Sequence, residues 1–288
     1  MGAASVLRNP VPSSSANIRL VVNADGFGAS AARDRAILAT HESGIVTSTS
    51  VLGNARDPLA VRDALRAAPQ LGVGVLFALV GGAPVSAPEA VPSLLGTDGS
   101  FPALAKDVAL NWAKSWLKAE EIEREIEAQV ARLRDLGLTI DHLSSKDGLG
   151  FLPIVAHAQE KVAKRHGILG LRVSVERPAL AWVADPRRGM TTAALAAMAW
   201  LSRRGLGLRR HGPQSWGLFE SGRLDEIRIL EILGRLGPGS HEIVCHPELD
   251  GDLQGAPRNS EVFALTSARV RSAIANRQIE LCRWADLF

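Results

Sequence analysis

From Ile18 onward, short β-like runs alternate with helical patterns, and this alternation restricts the fold more than any other feature of the chain. Strands spaced by helices must be joined by crossovers, which implies a mainly parallel sheet. IRLVVNAD reads as the first strand, followed by a helix through ARDRAILATHESG that closes at Gly44. The β-branched residues of IVTSTSVLGN favour a second strand, and LGVGVLFAL a third. Between them, DPLAVRDALRAAPQ reads as a helix with Asp57 as N-cap and Pro58 at its first position. LTIDHLSS, KRHGILGLRVSVERP, SHEIVCHPE and RQIELCRWADL supply further strands. Residues 80–101, rich in Pro, Gly, Ser and Asp, read as a long surface loop near the strand ends. The clearest helix spans 120–136, with Ile122, Ile126, Val130 and Leu133 on one stripe. About seven βα units in this order define an α/β protein, either a (β/α) barrel or an open doubly wound sheet. Periodicity does not choose between the two.

At 288 residues and 46% hydrophobic content the chain can bury a sizeable core. Residues 1–16, with their Pro and Ser content, read as a flexible N-terminal arm, and 17–288 as a single folded domain. The net charge of +3 is small for this length and makes no case for nucleic acid, although the arginines favour anionic neighbours. Cys245 and Cys282 stand far apart in no metal-binding spacing, which suits a reducing, cytoplasmic setting. There is no Walker A loop, H-E-x-x-H, G-x-S-x-G or paired C-x-x-C, and GVGV at 72–75 is too short for a dinucleotide fingerprint. The apolar helix TTAALAAMAWL is flanked by Arg187, Arg188, Arg203, Arg204, Arg209 and Arg210. It reads either as a helix packed on the core or as a peripheral membrane contact through 187–210.

Several polar residues at strand ends could carry chemistry. Asp25, in VVNADGFGAS, stands where a carboxylate can act as general base or metal ligand, or simply cap a turn. His246, in CHPELDGD, could be a general acid, a ligand or a satisfied strand-end histidine. The turn TIDHLSSKDG sets Asp141, His142 and Lys146 close together in sequence. Ser48, Thr49, Ser50 and Asn54 form a polar cluster able to hydrogen-bond a sugar or the backbone, and Asn23 belongs with them as a substrate-binding candidate. His41 near a helix C-terminus reads as structural.

Taken in order, NADGFG, AILATHESGIVTSTSVLGN, GVGVLFALVGGAPV with APEAVPSLLGTDGSF, the IDH turn and CHPE resemble the YdjC family of carbohydrate deacetylases. The resemblance extends from about Ile18 to Leu287 and is strongest to the hopanoid biosynthesis-associated branch called HpnK. It implies a (β/α) barrel related to polysaccharide deacetylases, and hydrolysis of an N-acetyl group from an amino sugar with a divalent metal such as Mg or Zn. The family's first block reads N-A-D-D-F-G, its first Asp resembling a general base and its second a metal ligand. Here Asp25 matches the first and Gly26 stands at the second. The family's G-L-H-L-N-L appears as GVLFAL, with Leu76 at the ligand His. D-H-V-N-A-H-x-H-x-H appears as DHLSSKDGLG, so Asp141 and His142 match while Lys146, Gly148 and Gly150 replace histidines. His246 matches the family's late His.

A divalent ion needs several oxygen or nitrogen ligands at about 2.0–2.2 Å. The side chains of Gly and Leu provide none, and an ammonium repels a dication. The expectation is therefore a pseudoenzyme without cofactor that keeps fold and pocket, binding an N-acetylated amino sugar, a glycosylated hopanoid or a partner. In it Lys146 acts as a surrogate cation paired with Asp25. The alternatives are an active N-deacetylase using Asp25 and His246 without metal, aided by Lys146 at an oxyanion, and an unrelated activity on the same scaffold. Expected partners are a small carbohydrate or glycolipid and the inner face of a membrane, with a homo-oligomer left open.

Overall fold

A computed structural model describes residues 17–173, 185–205, 212–218, 220, 222–249 and 260–288. The arm at 1–16, together with Arg209, Arg210, Asp250 and Asp252, lies outside the described residues.

The strands are β1 (Ile18–Phe27), β2 (Ser48–Leu52), β3 (Gly72–Phe77), β4 (His142–Ser145), β5 (Gly170–Leu171), β6 (Gln214–Trp216), β7 (Gly239–Cys245) and β8 (Ile279–Leu281). They form one sheet in the order β5-β4-β3-β2-β1-β7-β6, with β8 paired to the start of β1. Every pairing is parallel, as the alternation of strands and helices requires. The sheet curls until its two margins approach. A Cβ on Gly212, just before β6, would stand 2.5 Å from the carbonyl oxygen of Leu171 in β5. Of the two architectures open from the sequence, the curled, barrel-like one is observed.

The helices are α1 (Ala31–Glu42), α2 (Pro58–Arg66), α3 (Ala105–Ala113), α4 (Ala119–Asp135), α5 (Pro153–His166), α6 (Pro186–Gly205), α7 (Glu226–Arg235), α8 (Ser260–Thr266) and α9 (Ala268–Asn276). Asp57 caps α2 as expected, its carboxylate accepting from the Ala60 amide at 2.9 Å. The α4 stripe of Ile122, Ile126, Val130 and Leu133 is fully buried. The polar residues of α4 hold the neighbouring loop. Glu125 accepts from the amides of Val85 and Ser86, Glu121 from that of Ser93, and Gln129 pairs with both backbone groups of Ala78. The long loop 80–101 is thus fastened to the helix rather than left loose.

One expected strand is shorter than its sequence. KRH of KRHGILGLRVSVERP completes α5, which Gly167 closes at a φ of 65°, so only Gly170–Leu171 pairs as β5 and the stretch from Ser174 onward lies outside the described residues. The short strand β6 carries no comparable signal in the sequence.

The barrel interior explains the GVGV stretch. Gly74 faces inward in β3, and a Cβ there would lie 2.2 Å from Cε1 of His142. A Cβ on Gly170 would lie 2.7 Å from the His142 Cβ and 2.8 Å from the Trp284 ring. Missing side chains at these glycines make room for the buried His142 ring, which stacks on buried Trp284 with ring centroids 4.8 Å apart. The barrel is plugged, not hollow.

Helix α6 packs one face inward. Ala199 and Ser202 are buried, and the Ser202 hydroxyl donates to the Phe151 carbonyl at 2.7 Å. Its other face leaves Met190 74%, Trp200 56% and Leu201 48% exposed. The core-packed reading holds for the inner face of this helix. No helix among the described residues is long and apolar enough to cross a membrane.

Candidate functional site

The site is built at the C-terminal ends of β1, β4, β5 and β7, where a parallel α/β sheet exposes its loops. Asp25 stands near the end of β1, and its carboxylate is clamped by Arg172, one residue beyond β5. Arg172 Nη1 lies 2.6 Å from Oδ2 and Nη2 3.0 Å from Oδ1, a two-point pairing across the barrel. The same guanidinium reaches Glu242 of β7 through Nε at 3.1 Å and Nη2 at 2.7 Å. Glu242 also accepts from the Ser215 hydroxyl at 3.1 Å and the Trp284 indole at 3.2 Å. All three ionised side chains are buried.

Electrostatics follow from this geometry. Burial alone would raise the Asp25 carboxyl, but the charge and hydrogen bonds of Arg172, with smaller help from His246 and Ser50, hold it below its ordinary range. Burial opposes the charged form of Arg172, and Asp25 and Glu242 outweigh it, so the guanidinium is bound more firmly to its proton than usual. Cys245, at the end of β7, is pushed well up by burial and by Glu261 and Asp25, against Arg172, which leaves an unreactive thiol.

Behind Asp25 runs a buried relay. Asn23 Nδ2 donates to Asp25 Oδ1 at 2.8 Å and to Ser50 Oγ at 2.9 Å. Ser50 Oγ lies 2.9 Å from His142 Nε2, and His142 Nδ1 lies 2.6 Å from Asp141 Oδ1. With Asp141 accepting, Nδ1 carries a proton. Register puts these groups together, since Asn23 pairs with Ser48, Asp25 with Ser50, and Gly74 with His142. One-residue pairing offsets would turn them to the opposite face.

Asp25 and His246 line one cavity of about 290 Å³ with Arg172, Ser145, Thr192 and Leu195. That is at the low end of ligand sites, which run to about 300–1,000 Å³. His246 is held at its backbone, where its amide donates to Glu261 Oε2 at 2.5 Å.

The substrate-binding candidates divide. Asn23, Ser48 and His142 are fully buried and bonded to protein groups. Asn23 donates to Asp25 directly and His142 is linked to it through Ser50 and Asn23, while Ser48 Oγ accepts from the Trp284 amide. Asn54 and Lys146 face a different cavity. The expected pairing of Lys146 with Asp25 is also overturned. Lys146 Nζ turns to the Val80 carbonyl at 3.3 Å, and the Asp25 carboxylate takes its cation from Arg172. Lys146 stands at the turn after β4, where the next two residues, Asp147 and Gly148, adopt φ of 54° and 71°. In the sequence Arg172 is one arginine in a strand-like run, with no motif to single it out.

Two positions that the family resemblance assigns to metal ligands, Gly26 and Leu76, and one where it has a histidine, Gly148, are filled in specific ways. Gly26 sits at a bulge with φ of 95°, and a Cβ there would lie 3.0 Å from Arg33 Nη1. Arg33 is held in place by Glu248 at 2.7 Å. Gly148 lies under Leu195 of α6, 3.2 Å from where its Cβ would be. Leu76 is buried. Among the described residues, no three His, Cys, Asp or Glu side chains converge as a metal would need.

The curled parallel barrel carries an acid at the end of β1 and a histidine beyond β7. The pattern of the YdjC-like protein family matches residues 19–276, so the chain belongs to that family. It is 28% identical over 278 residues to a carbohydrate deacetylase of Geobacillus stearothermophilus, covering 93% of this chain and 97% of that protein. It is 29% identical over 270 residues to a chitooligosaccharide deacetylase of Salmonella paratyphi B, covering 90% and 94%. A solved protein from Enterococcus faecalis V583 shares the fold with a TM-score of 0.74 at 24% identity, covering 94% of this chain and 99% of that one.

Removing the central cation tests the clamp. Arg172→Met leaves two buried carboxylates without the guanidinium between them, and the expected loss is about 3–5 kcal/mol in urea unfolding at pH 7. In the parent, Asp25 has a depressed folded pKa, so its stabilisation is present above the unfolded value of about 3.9 and fades as pH falls through the folded one. In the variant Asp25 loses that cation and its carboxyl rises, so the difference between the two proteins should narrow between pH 7 and pH 4. Equal urea midpoints at pH 7 would contradict the clamp.

Proposed function

We propose that this YdjC-like protein binds an N-acetylated amino sugar, free or carried on a glycosylated hopanoid, in a pocket without a resident divalent metal, and that it is a pseudoenzyme of the deacetylase family. The observation that carries this reading is the Asp25–Arg172 clamp. A general base works best with a pKa near the operating pH, whereas Asp25 is held low and both of its oxygens already accept hydrogen bonds. The donor set points the same way: the positions matched to ligands carry Gly26, Leu76 and Lys146, and the space beside Gly26 holds the Arg33 guanidinium, which repels a dication. The residues present do not fit the family's metal, so no step is assigned to the Lewis acid and lowered water pKa that such an ion supplies.

What remains suits recognition. Asp25, Arg172 and His246 offer polar groups in the lining, and Leu195 and Phe151 apolar surface for the face of a sugar ring. The alternative, metal-independent N-deacetylation by Asp25 and His246, requires Arg172 or another cation to stabilise the oxyanion. Arg172 is already shared between two carboxylates. The two readings separate on purified protein by elemental analysis and by acetate release from N-acetylglucosamine oligomers, with and without added zinc, magnesium or chelator. A pseudoenzyme shows no stoichiometric metal and no acetate release. Bound metal with chelator-sensitive turnover overturns the proposal, and chelator-insensitive turnover establishes the alternative.

A lipid-borne sugar is favoured by the outer face of α6, where exposed Met190, Trp200 and Leu201 lie on a helix whose sequence starts with Arg187 and Arg188 and ends near Arg203 and Arg204. Basic helices with an apolar face lie in anionic membrane surfaces. The protein should co-sediment with anionic vesicles at low salt, and Met190→Glu with Leu201→Glu should abolish this. Absence of sedimentation by the parent contradicts membrane contact.

A further inference from the structure

Helix α3 turns an apolar and basic face to solvent. From one side of the helix Val108 is buried and Trp112 packs on the core. On the other side Lys106, Leu110 and Ala113 follow one another at helical spacing and are exposed. Leu104 just before the helix is also exposed, and Trp116 just after it is 60% exposed. The charged residues exposed within 103–118 are Lys106, Lys114 and Lys118, with no carboxylate among them. Lys118 pairs with Glu121 at 3.4 Å, whereas Lys106 and Lys114 make no ion pair among the described residues.

The end of the helix fixes Trp116 outward. Ser115 takes a φ of 58°, the Trp116 amide donates to the Asn111 carbonyl at 2.9 Å, and the Ser115 amide donates to that of Trp112 at 2.8 Å. This pair of bonds closes many helices, usually with glycine at the left-handed position and with the next apolar residue folded back on the helix. Here a serine takes the left-handed backbone, and the residue after it is a tryptophan left in solvent. Lys114 Nζ lies over that ring, 4.5 Å from its centroid, so a cation and an aromatic surface share one spot. The helix also stands close to the cavity. Both α3 and α6 contact the turn 146–151 that follows β4, and Gly148 and Phe151 of that turn line the Asp25 cavity.

We propose that the outer face of α3, with Trp116, is a contact for an anionic membrane surface, so that the Asp25 cavity takes its ligand at the lipid boundary. Tryptophan settles between headgroups and acyl chains, where its ring is apolar and its N–H is wet. Lysine stems lie along apolar surface while their ammonium groups stay among the headgroups, and each lysine near a negatively charged leaflet adds attraction. An acidic protein fits this face less well. Interface cores are depleted in lysine, and arginine is the cation that pairs carboxylates at two points, whereas all three cations within 103–118 are lysines. For what the cavity takes, the inference rests on the lipid-borne sugar proposed above, but contact of α3 with lipid does not depend on it.

The test is sedimentation of the full chain with vesicles of phosphatidylcholine alone or mixed with phosphatidylglycerol. Mixed vesicles should bind the parent, less so as salt rises, and Lys106→Gln and Lys114→Gln should each weaken that binding by about fivefold. Both lysines are exposed, so the circular dichroism of these variants should match the parent's. Brominated lipid should quench the tryptophan fluorescence of Trp200→Phe, and adding Trp116→Phe should remove most of that quenching. Unchanged binding in the lysine variants overturns the proposal, and if Met190→Glu with Leu201→Glu then abolishes binding, the α6 contact alone stands. Weakened binding in the lysine variants with full binding by the α6 pair supports the α3 contact and overturns that of α6. No vesicle binding by the parent overturns both. Binding to soluble polyglutamate but not to mixed vesicles assigns the face to an acidic protein and overturns the membrane contact.

Discussion

The site depends on a single buried guanidinium. Arg172 leaves the end of β5, crosses the barrel and ties two carboxylates on neighbouring strands, Asp25 of β1 and Glu242 of β7. Without a cation between them, two buried acids at this separation would each resist ionisation. With it, Asp25 is ionised, oriented and held low, and one margin of the curled sheet is linked to its centre. Fold closure and the state of the acid are therefore one interaction. A buried ion pair of this kind is costly to break, because either partner left alone is an uncompensated charge.

Positive charge and apolar bulk stand around the site. Arg33 stands beside Gly26, Leu195 covers Gly148, and Lys146 turns to a neighbouring cavity. The relay through Asn23, Ser50, His142 and Asp141 persists, since those residues hold Asp25 by hydrogen bonds that need no metal.

Much of the architecture is legible in the chain because its causes are local. Alternation of β-branched runs with helical stripes implies parallel strands, Asp57 and Pro58 mark the start of α2, and Ile122 to Leu133 mark the buried face of α4. Asp25 and His246 share a cavity, as the ordered blocks around them imply. What is not legible depends on contacts distant in sequence. Asp25 and Arg172 are 147 residues apart, and no spacing rule connects them. Asp147, beside Lys146, takes a positive φ, a conformation that sequence reading assigns mainly to glycine. GVGV resembles a truncated nucleotide motif, and its meaning appears only when His142 and Trp284 are seen to need the space.

The Asp25 carboxylate is neutralised by Arg172. Anomalous X-ray diffraction at the zinc edge, from crystals grown with excess zinc, measures this directly. The expected result is no anomalous peak at the Asp25 carboxylate, with the Arg172 guanidinium seated on both of its oxygens. A zinc peak ligated by Asp25, with Arg172 displaced from it, would contradict the claim.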